Sequence, residues 1–319
     1  MPKIINAKNN MKDAGELELL RELCSQFGPS GDEGNMRDFL IDYVNHNKST
    51  WAKQPELFYG DGFQDCLILK FGNPRTAVFA HIDSHGYTVR YEDQLVPIGS
   101  PHGESGTKLV GADQLGDIEC ELLIDKNQYS RYKFGRSIQP GTSLVFKSEW
   151  NETKTTVQSC YMDNRLGVYA MLKLAQTIQN GVIVFSTWEE HGGGSVPFLI
   201  KFLNEKWAIT QALIADITWV TEGVQPGKGV VISMRDRNVP RQSFIRKIID
   251  IVEKSNINYQ VEVEGDGSSD GRELQLSPYP IDWCFIGAPE DHVHSPKETV
   301  HKSDIQSMIE VYSLLMNVL

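Results

Sequence analysis

The sequence predicts an α/β fold: a three-layer α/β/α sandwich interrupted by a small all-β insertion. Apolar runs of strand length alternate with amphipathic helical segments, which is typical of a sheet covered by helices. Several of these runs are apolar at every position, as in parallel strands that are buried on both faces. Between 90 and 156 the runs are short, many glycines and prolines separate them, and no helical periodicity occurs. We therefore expect a main domain formed by 1–89 and 157–319, with 90–156 as an inserted β domain.

Two helices and then two strands are expected in the first part of the main domain. The first helix, from about 12 to 26, ends at a Gly-Pro-Ser-Gly sequence. Ser30 and Glu33 have the spacing of a capping box, which predicts the start of a second amphipathic helix. The strands are 66–71 and 76–82, separated by a Gly-Asn-Pro turn.

The second part of the main domain alternates regularly between helices and strands. The expected helices are 166–179, 196–204, 242–254 and 302–316, and the expected strands are 182–186, 212–217, 229–234, 259–263 and 282–286. Ligands of such sheets bind beyond the carboxyl ends of the strands, so polar residues at those ends are the candidate functional residues.

Composition excludes several classes of function. The chain has 319 residues and a formal net charge of -11, without basic clusters, which argues against a nucleic-acid partner. It has no apolar run near the roughly 20 residues that span a bilayer, so no membrane association is expected. The polar N-terminus lacks the apolar segment of a secretory signal. Five scattered cysteines without a CxxC pair indicate buried free thiols, and we expect a cytoplasmic protein.

His81 and Asp83 follow an apolar strand-like run. Residues two apart in an extended chain point the same way, so both side chains can face one cleft. His81 could bind a metal ion while Asp83 accepts a hydrogen bond from its other ring nitrogen. Taken alone, this pair is more typical of a solvated strand end than of a metal site.

Glu189 and Glu190 follow another apolar run and precede three consecutive glycines. Adjacent residues of a strand face opposite sides, so both carboxylates reach one site only where the backbone turns, and glycines permit such a turn. One carboxylate could then bind metal while the other stays free as a base. An isolated acidic pair is more often part of a solvated surface.

Three further candidates lie at the ends of expected elements. Asp163 opens a helix and Asp216 ends a strand, where each could also serve merely as a cap. His292 and His294 both follow the last strand, and periodicity does not choose between them. Histidines and carboxylates at successive strand ends are the ligands of a two-metal hydrolytic centre, which also needs a separate general base.

Seven motifs occur in a specific order and spacing outside the insertion. They are Ala80-His81-Ile82-Asp83, Met162-Asp163-Asn164-Arg165-Leu166-Gly167, Trp188-Glu189-Glu190, Ala215-Asp216, Gly227-Lys228-Gly229, Ser269-Asp270 and His294-Ser295-Pro296-Lys297-Glu298. In these motifs the chain resembles the glutamyl aminopeptidase family of dinuclear metallopeptidases, which includes deblocking and tetrahedral-shell aminopeptidases.

The resemblance implies two divalent metal ions per subunit, with Asp163 bridging them. His81 and Asp216 would complete the shell of one ion, and Glu190 and His294 that of the other. Zinc or cobalt is expected, and the same ligands suit manganese.

The resemblance also implies a mechanism and an activity. Glu189 would be the general base and acid that deprotonates a metal-bound water, so that hydroxide attacks the scissile carbonyl, while Asp83 would orient His81. The expected activity is the release of N-terminal residues from peptides. One alternative is a metal-dependent deacylase or amidohydrolase that acts on small N-acyl compounds. The other is a non-catalytic, oligomeric binding protein.

The family's fold is a three-layer catalytic domain interrupted by a small β-barrel or PDZ-like domain. Its members form homo-oligomers, so we expect an assembly between a dimer and a tetrahedral dodecamer. The chain departs from the family where Ser84-His85 replaces an acidic residue and where Asp291-His292 replaces an Arg-Tyr pair. The second departure concerns the anchoring of substrate, and the sequence assigns no substrate-binding residue.

Overall fold

A computed structural model describes Gly15 and residues 17–319 of the chain. The helices are α1 (Glu18–Ser25), α2 (Gly34–Asn47), α3 (Met162–Ala175), α4 (Val196–Trp207), α5 (Gln242–Val252), α6 (Gly271–Leu276) and α7 (Lys302–Val318). Part of the first expected helix, which was to begin near residue 12, lies outside the described residues.

The described residues form seventeen strands in two sheets. They are β1 (Glu56–Gly60), β2 (Gln64–Phe71), β3 (Ala77–His81), β4 (Gly86–Val89), β5 (Leu95–Ile98), β6 (Lys108–Asp113), β7 (Gly116–Ile124), β8 (Ser130–Lys133), β9 (Ser143–Phe146), β10 (Asn151–Glu152), β11 (Thr156–Ser159), β12 (Gly181–Ser186), β13 (Gln211–Trp219), β14 (Val230–Arg235), β15 (Tyr259–Val263), β16 (Asp282–Asp291) and β17 (Glu298–His301).

The larger sheet has the order β1-β2-β12-β3-β13-β16-β17-β11-β10, and β14 and β15 extend it beside β16. Its four central strands, β12, β3, β13 and β16, run parallel, whereas the strands towards both edges add mainly antiparallel pairs. The expected parallel sheet is therefore present at the centre, and the whole sheet is mixed. The parallel centre matters for function because it places the carboxyl ends of four strands along one edge.

Helices cover both faces of this sheet, which confirms the three-layer prediction. Successive side chains of a strand point to opposite faces, and in β2 Leu67 and Leu69 pack in the cluster that contains α1, α2, α3, α5 and α7. Cys66 and Ile68 pack instead in the cluster on the other face, which contains α4 and α6. Each such fully buried aliphatic side chain contributes about 1.5–3 kcal/mol.

The second sheet is antiparallel, with the order β5-β4-β9-β6-β7-β8. It is nearly closed into a barrel, because Gln94 and Arg131 form an isolated bridge between its two ends. Its core contains Tyr87, Leu109 and Phe146. This all-β unit agrees with the expected insertion. β4 precedes residue 90, and β10 and β11 belong to the larger sheet, so the exact domain boundaries stay a prediction.

The capping box expected at the start of α2 is wrong. The Ser30 hydroxyl donates to Asp83 Oδ2 at 2.6 Å, and the Glu33 carboxylate accepts from the amide of Gly31 at 2.9 Å, so neither side chain caps the helix. The reason is tertiary: the Ser30 amide bonds to the carbonyl of Ser84 at 3.0 Å, which holds Ser30 beside Asp83.

Other differences concern element ends and short elements. β13 continues to Trp219, so Asp216 lies inside that strand and not at its end. β16 likewise continues beyond Ile286 to Asp291. The elements α6, β1, β10, β11 and β17 were not expected.

All five cysteines are buried and form no disulfide, as expected from their spacing. Within the part of the chain that the structure describes, no helix combines the length and apolar character that crossing a bilayer requires.

Candidate metal centre

The predicted site residues converge at the carboxyl edge of the parallel strands. His81 is the last residue of β3, and Asp216 lies on β13. Glu189 and Glu190 follow β12, and His294 follows β16. The topology thus brings together side chains that are more than 200 positions apart in the chain.

Asp163 lies between the two histidines. Its Oδ1 is 3.2 Å from His81 Nε2, and its Oδ2 is 3.2 Å from His294 Nε2. Asp163 and Asn164 have non-helical backbone angles at the start of α3, and the Asp163 amide donates to Glu298 Oε2 at 3.2 Å. The carboxylate therefore faces both histidines at once and does not cap the helix.

Two groups of candidate ligands meet at Asp163. In each group the potential ligand atoms lie within 4.8 Å of one another, and the groups are His81, Asp163 and Asp216, and His85, Glu190 and His294. In the first, His81 Nε2 is 3.6 Å from Asp216 Oδ1. In the second, Glu190 Oε2 is 3.3 Å from His294 Nε2, and Glu190 Oε1 is 3.5 Å from His85 Nδ1.

The chemistry of these groups fits divalent cations. Imidazole nitrogen and carboxylate oxygen are ligands of zinc, cobalt and manganese. Glu190 Oε1 and both ring nitrogens of His85 are buried, and no hydrogen-bond partner for them occurs among the described residues. A buried polar atom without a partner is costly, so bound cations would remove a penalty that the metal-free arrangement carries.

Charges at the centre are strongly coupled. Burial lowers the pKa of His81, but Asp216 and Asp163 outweigh it and raise that pKa well above its ordinary value. Burial also lowers the pKa of His294, but Asp163 and Glu190 outweigh it and raise that pKa to about 10. Burial raises the pKa of Asp163, yet its contacts with the two histidines hold it far below the usual range. The histidines and carboxylates of the centre thus stabilise each other's charged forms.

Asp83 organises the site from behind His81. It is fully buried, and its Oδ1 is 3.4 Å from His81 Nδ1, on the side away from Asp163. The amides of Glu189 and Glu190 both donate to its carboxylate at 3.1 Å, in addition to the Ser30 hydroxyl. Asp83 thus orients the imidazole and also fixes the turn that carries both glutamates.

The turn after β12 brings Glu189 and Glu190 to the same cleft. Trp188 has a left-handed backbone, with φ of 63°, directly before the glutamates, and Gly192 follows with φ of 105°. The expected turn is therefore present, but it begins at a tryptophan and not at the glycines.

The carboxylate of Glu189 is available to move a proton. Its Oε2 lies 4.0 Å from His81 Nε2, and the side chain lines the cleft beside both ligand groups. Burial raises its pKa well above the ordinary value; His81 opposes this shift, and the negative charges of Asp216 and Asp270 add to it. A carboxylate with a raised pKa is suited to general acid–base chemistry.

Of the two candidate histidines after β16, His294 lies in the centre. Its Nδ1 is 3.2 Å from the carbonyl oxygen of Ser100, which belongs to the loop after β5, so this contact orients Nε2 towards Asp163 and Glu190. His292 instead lines a separate cavity, together with Ser295 and Pro296.

Sequence reasoning assigned no role to several residues near the centre. His85 was noted only as a departure from the family, although it continues the two-residue alternation that begins with His81 and Asp83. Asp270 is buried and accepts a hydrogen bond from the Ser186 hydroxyl at 2.5 Å, and burial raises its pKa to about 7. Glu298 binds the amide of Asp163, and no signal in the sequence distinguished that role.

A cleft of about 270 Å³ opens beside the centre. Its walls include the apolar side chains of Ile217, Trp219 and Phe285. Besides Glu189, four carboxylates beyond the ligand groups line it: Asp236, Glu262, Glu264 and Asp266. No lysine or arginine of the described chain lines this cleft.

Comparisons with known proteins agree with this geometry. A family model described as M42 glutamyl aminopeptidase matches residues 111–311. A protein of Acetivibrio thermocellus named "Putative aminopeptidase" is 25% identical, over 94% of this chain and 98% of its own length.

Solved structures have the same fold. A TET aminopeptidase from the marine sediment archaeon Thaumarchaeota archaeon SCGC AB-539-E09 gives a TM-score of 0.83 at 16% identity, covering 95% of this chain and 97% of that one. The Pyrococcus horikoshii TET1 peptidase, described as assembling into a tetrahedron or a large octahedral shell, gives 0.81 at 20% identity, covering 95% and 100%.

Proposed function

Because the chain belongs to the M42 glutamyl aminopeptidase family, we propose that it is a dinuclear metalloaminopeptidase that releases N-terminal residues from peptides. One observation carries the dinuclear part of the proposal. The two oxygens of the Asp163 carboxylate lie 3.2 Å from histidines of two different ligand groups. A carboxylate in that position is suited to bridge two cations.

His81 and Asp216 would hold one divalent ion, Glu190 and His294 the other, and Asp163 both. Zinc or cobalt is the expected metal, and manganese suits the same donors. When bound, the pair supplies Lewis acidity, which polarises the scissile carbonyl and lowers the pKa of the attacking water.

Glu189 would carry the proton through the reaction. Its carboxylate takes a proton from the attacking water and returns it to the leaving amine, as its position beside the ligand groups and its raised pKa allow. Asp83 acts one step further out, because it orients His81 and fixes the backbone of Glu189.

The carboxylates at the centre and in the cleft also fit a substrate with a free α-amino group, which is cationic at neutral pH. We further propose that the protein is cytoplasmic and forms a homo-oligomer, between a dimer and a tetrahedral dodecamer. Buried free thiols support the first point, and the shell described for Pyrococcus horikoshii TET1 supports the second. The proposed domains are 1–89 with 157–319, and the insertion 90–156.

The test is mass spectrometry of a peptide set in which half of the members are N-acetylated, with added zinc or cobalt. Stepwise trimming confined to free N-termini is expected, and Glu189→Gln should abolish it while two ions per subunit remain bound. Glu222→Gln, at an exposed position outside both ligand groups and outside the cleft lining, is the matched control. Cleavage confined to acetylated peptides would instead indicate a deacylase, and metal loss in Glu189→Gln would contradict the role given to Glu189.

A further inference from the structure

His85 is a fully buried histidine whose two ring nitrogens have no hydrogen-bond partner in the described part of the chain. The nearest charged group is Glu190, whose Oε1 lies 3.5 Å from His85 Nδ1 and also lacks a hydrogen-bond partner. The ring of His294 is on the same side, with a centroid separation of 5.0 Å. Three potential ligands thus face one small space.

Packing alone does not account for a histidine at this position. Its ring contacts Phe146 and Tyr161, with centroid separations of 5.4 and 5.1 Å. An apolar ring would fill the same aromatic pocket without two unpaired nitrogens, each of which costs about 1–3 kcal/mol when buried. Among the described residues, Nε2 has no hydrogen-bond partner and Nδ1 has only the Glu190 carboxylate at 3.5 Å, so a bound cation would supply the partner that the imidazole lacks.

The backbone fixes His85 in this position. The Ser84 amide donates to the carbonyl of Gly28 at 3.0 Å, and β4 begins directly after His85. Gly99 packs closely against both candidate ligands: a Cβ at Gly99 would lie 3.3 Å from His85 Cβ and 2.9 Å from the carbonyl oxygen of Glu190. Because residues near both sheets form the site, the imidazole is fixed in its buried position and does not need to move in from solvent.

We propose that His85 is an additional protein ligand of the ion held by Glu190, His294 and Asp163. The inference rests on the proposed two-ion centre. It implies that the two ions have different numbers of protein ligands. With Asp163, the ion at His85 would have four protein ligands, the number found in structural zinc sites. The ion at His81 has three, namely His81, Asp163 and Asp216, and so keeps a place for water. The His85 position therefore holds its ion firmly, and the His81 position exchanges its ion readily.

The experiment is a cobalt titration of the full-length, metal-free protein, followed by visible absorption and by competition with a chelator. The wild type should bind two ions, one of which resists the chelator. His85→Phe keeps an aromatic ring in the pocket but removes both nitrogens, and it should weaken the tight ion at least about tenfold. His102→Phe is the matched control, because its ring lies 6.0 Å from His294 but is exposed and outside both ligand groups.

Thermal unfolding gives a second readout that is independent of activity. Metal-free His85→Phe should unfold at the wild-type temperature or higher, since it loses two unpaired nitrogens, but cobalt should raise its Tm less than that of the wild type. If the phenylalanine is not accommodated, as circular dichroism would show, His85→Ala gives the same comparison. If the variant binds both ions with wild-type affinity, the role of His85 is refuted but the two-ion centre is not. A wild type that binds fewer than two ions overturns the dinuclear centre itself.

Discussion

The cleft beside the metal centre should favour substrates whose first residue is lysine or arginine. Besides Glu189, four carboxylates beyond the ligand groups line it, and no described lysine or arginine does. Glu262 is held by the hydroxyls of Thr218 and Ser233, whereas Glu264 is half-buried and has no ion pair in the described part of the chain. Glu264→Gln therefore removes charge from the cleft with little structural change.

The magnitude follows from the size of the cleft. A sphere of 270 Å³ is about 8 Å across, so an ammonium group inside it would lie roughly 6 Å from a carboxylate of the wall. At that distance and an effective dielectric constant of about 20, one pair is worth about 3 kcal/mol. Because the cleft is open to solvent, screening should reduce this interaction energy to roughly half. The remaining energy corresponds to about a tenfold change in kcat/KM.

The assay compares kcat/KM for lysyl, leucyl and glutamyl fluorogenic amides. The wild type should prefer the lysyl substrate, and Glu264→Gln should lower its lysyl-to-leucyl ratio about tenfold, with the leucyl value nearly unchanged. Asp250→Asn, which removes an exposed carboxylate from α5, should leave the ratio as it is. A wild type that prefers the glutamyl substrate, or an unchanged ratio in Glu264→Gln, would refute the reasoning.

Three further substitutions test other parts of the structure. Asp163→Asn should lose both ions together, as metal analysis after dialysis would show, and retention of one would contradict a bridging role. Asp83→Asn should weaken metal binding about 10–100-fold, because it removes the negative charge that lies 3.4 Å from His81 Nδ1. Burial raises the pKa of Glu33 to about 7 from 4.5, so its ionisation destabilises the fold as pH rises from 4.5 through 7. Glu33→Gln should therefore unfold like wild type at pH 4 but be up to about 3 kcal/mol more stable at pH 8 in urea titrations, and equal stability at pH 8 would contradict this reasoning.

Hydrophobic patterning predicted the elements of the main sheet because burial on both faces leaves continuous apolar runs, as in β12. It could not predict contacts between distant segments. Ser30 and Glu33 have the local pattern of a capping box, but Ser30 instead bonds Asp83, 53 positions away. For Asp163, a role as a helix cap was likewise a sufficient local explanation. Its position between two histidines depends on where β3 and β16 end, because those strands carry His81 and lead to His294. Only the resemblance to the family gave that place in advance.

The local rules fail most clearly where the backbone leaves its regular conformations. The alternation of side chains along a strand could not choose between His292 and His294, because both have left-handed backbones, with φ of 61° and 63°. The same holds for Glu189 and Glu190, which reach one cleft because Trp188 turns the chain in a left-handed conformation. Non-glycine residues in that region are uncommon and occur at sites whose geometry the surroundings enforce. At this centre, one such residue directly precedes the proposed base Glu189, and another is the proposed ligand His294. Periodicity therefore fails to predict the positions whose backbone brings the proposed catalytic groups together.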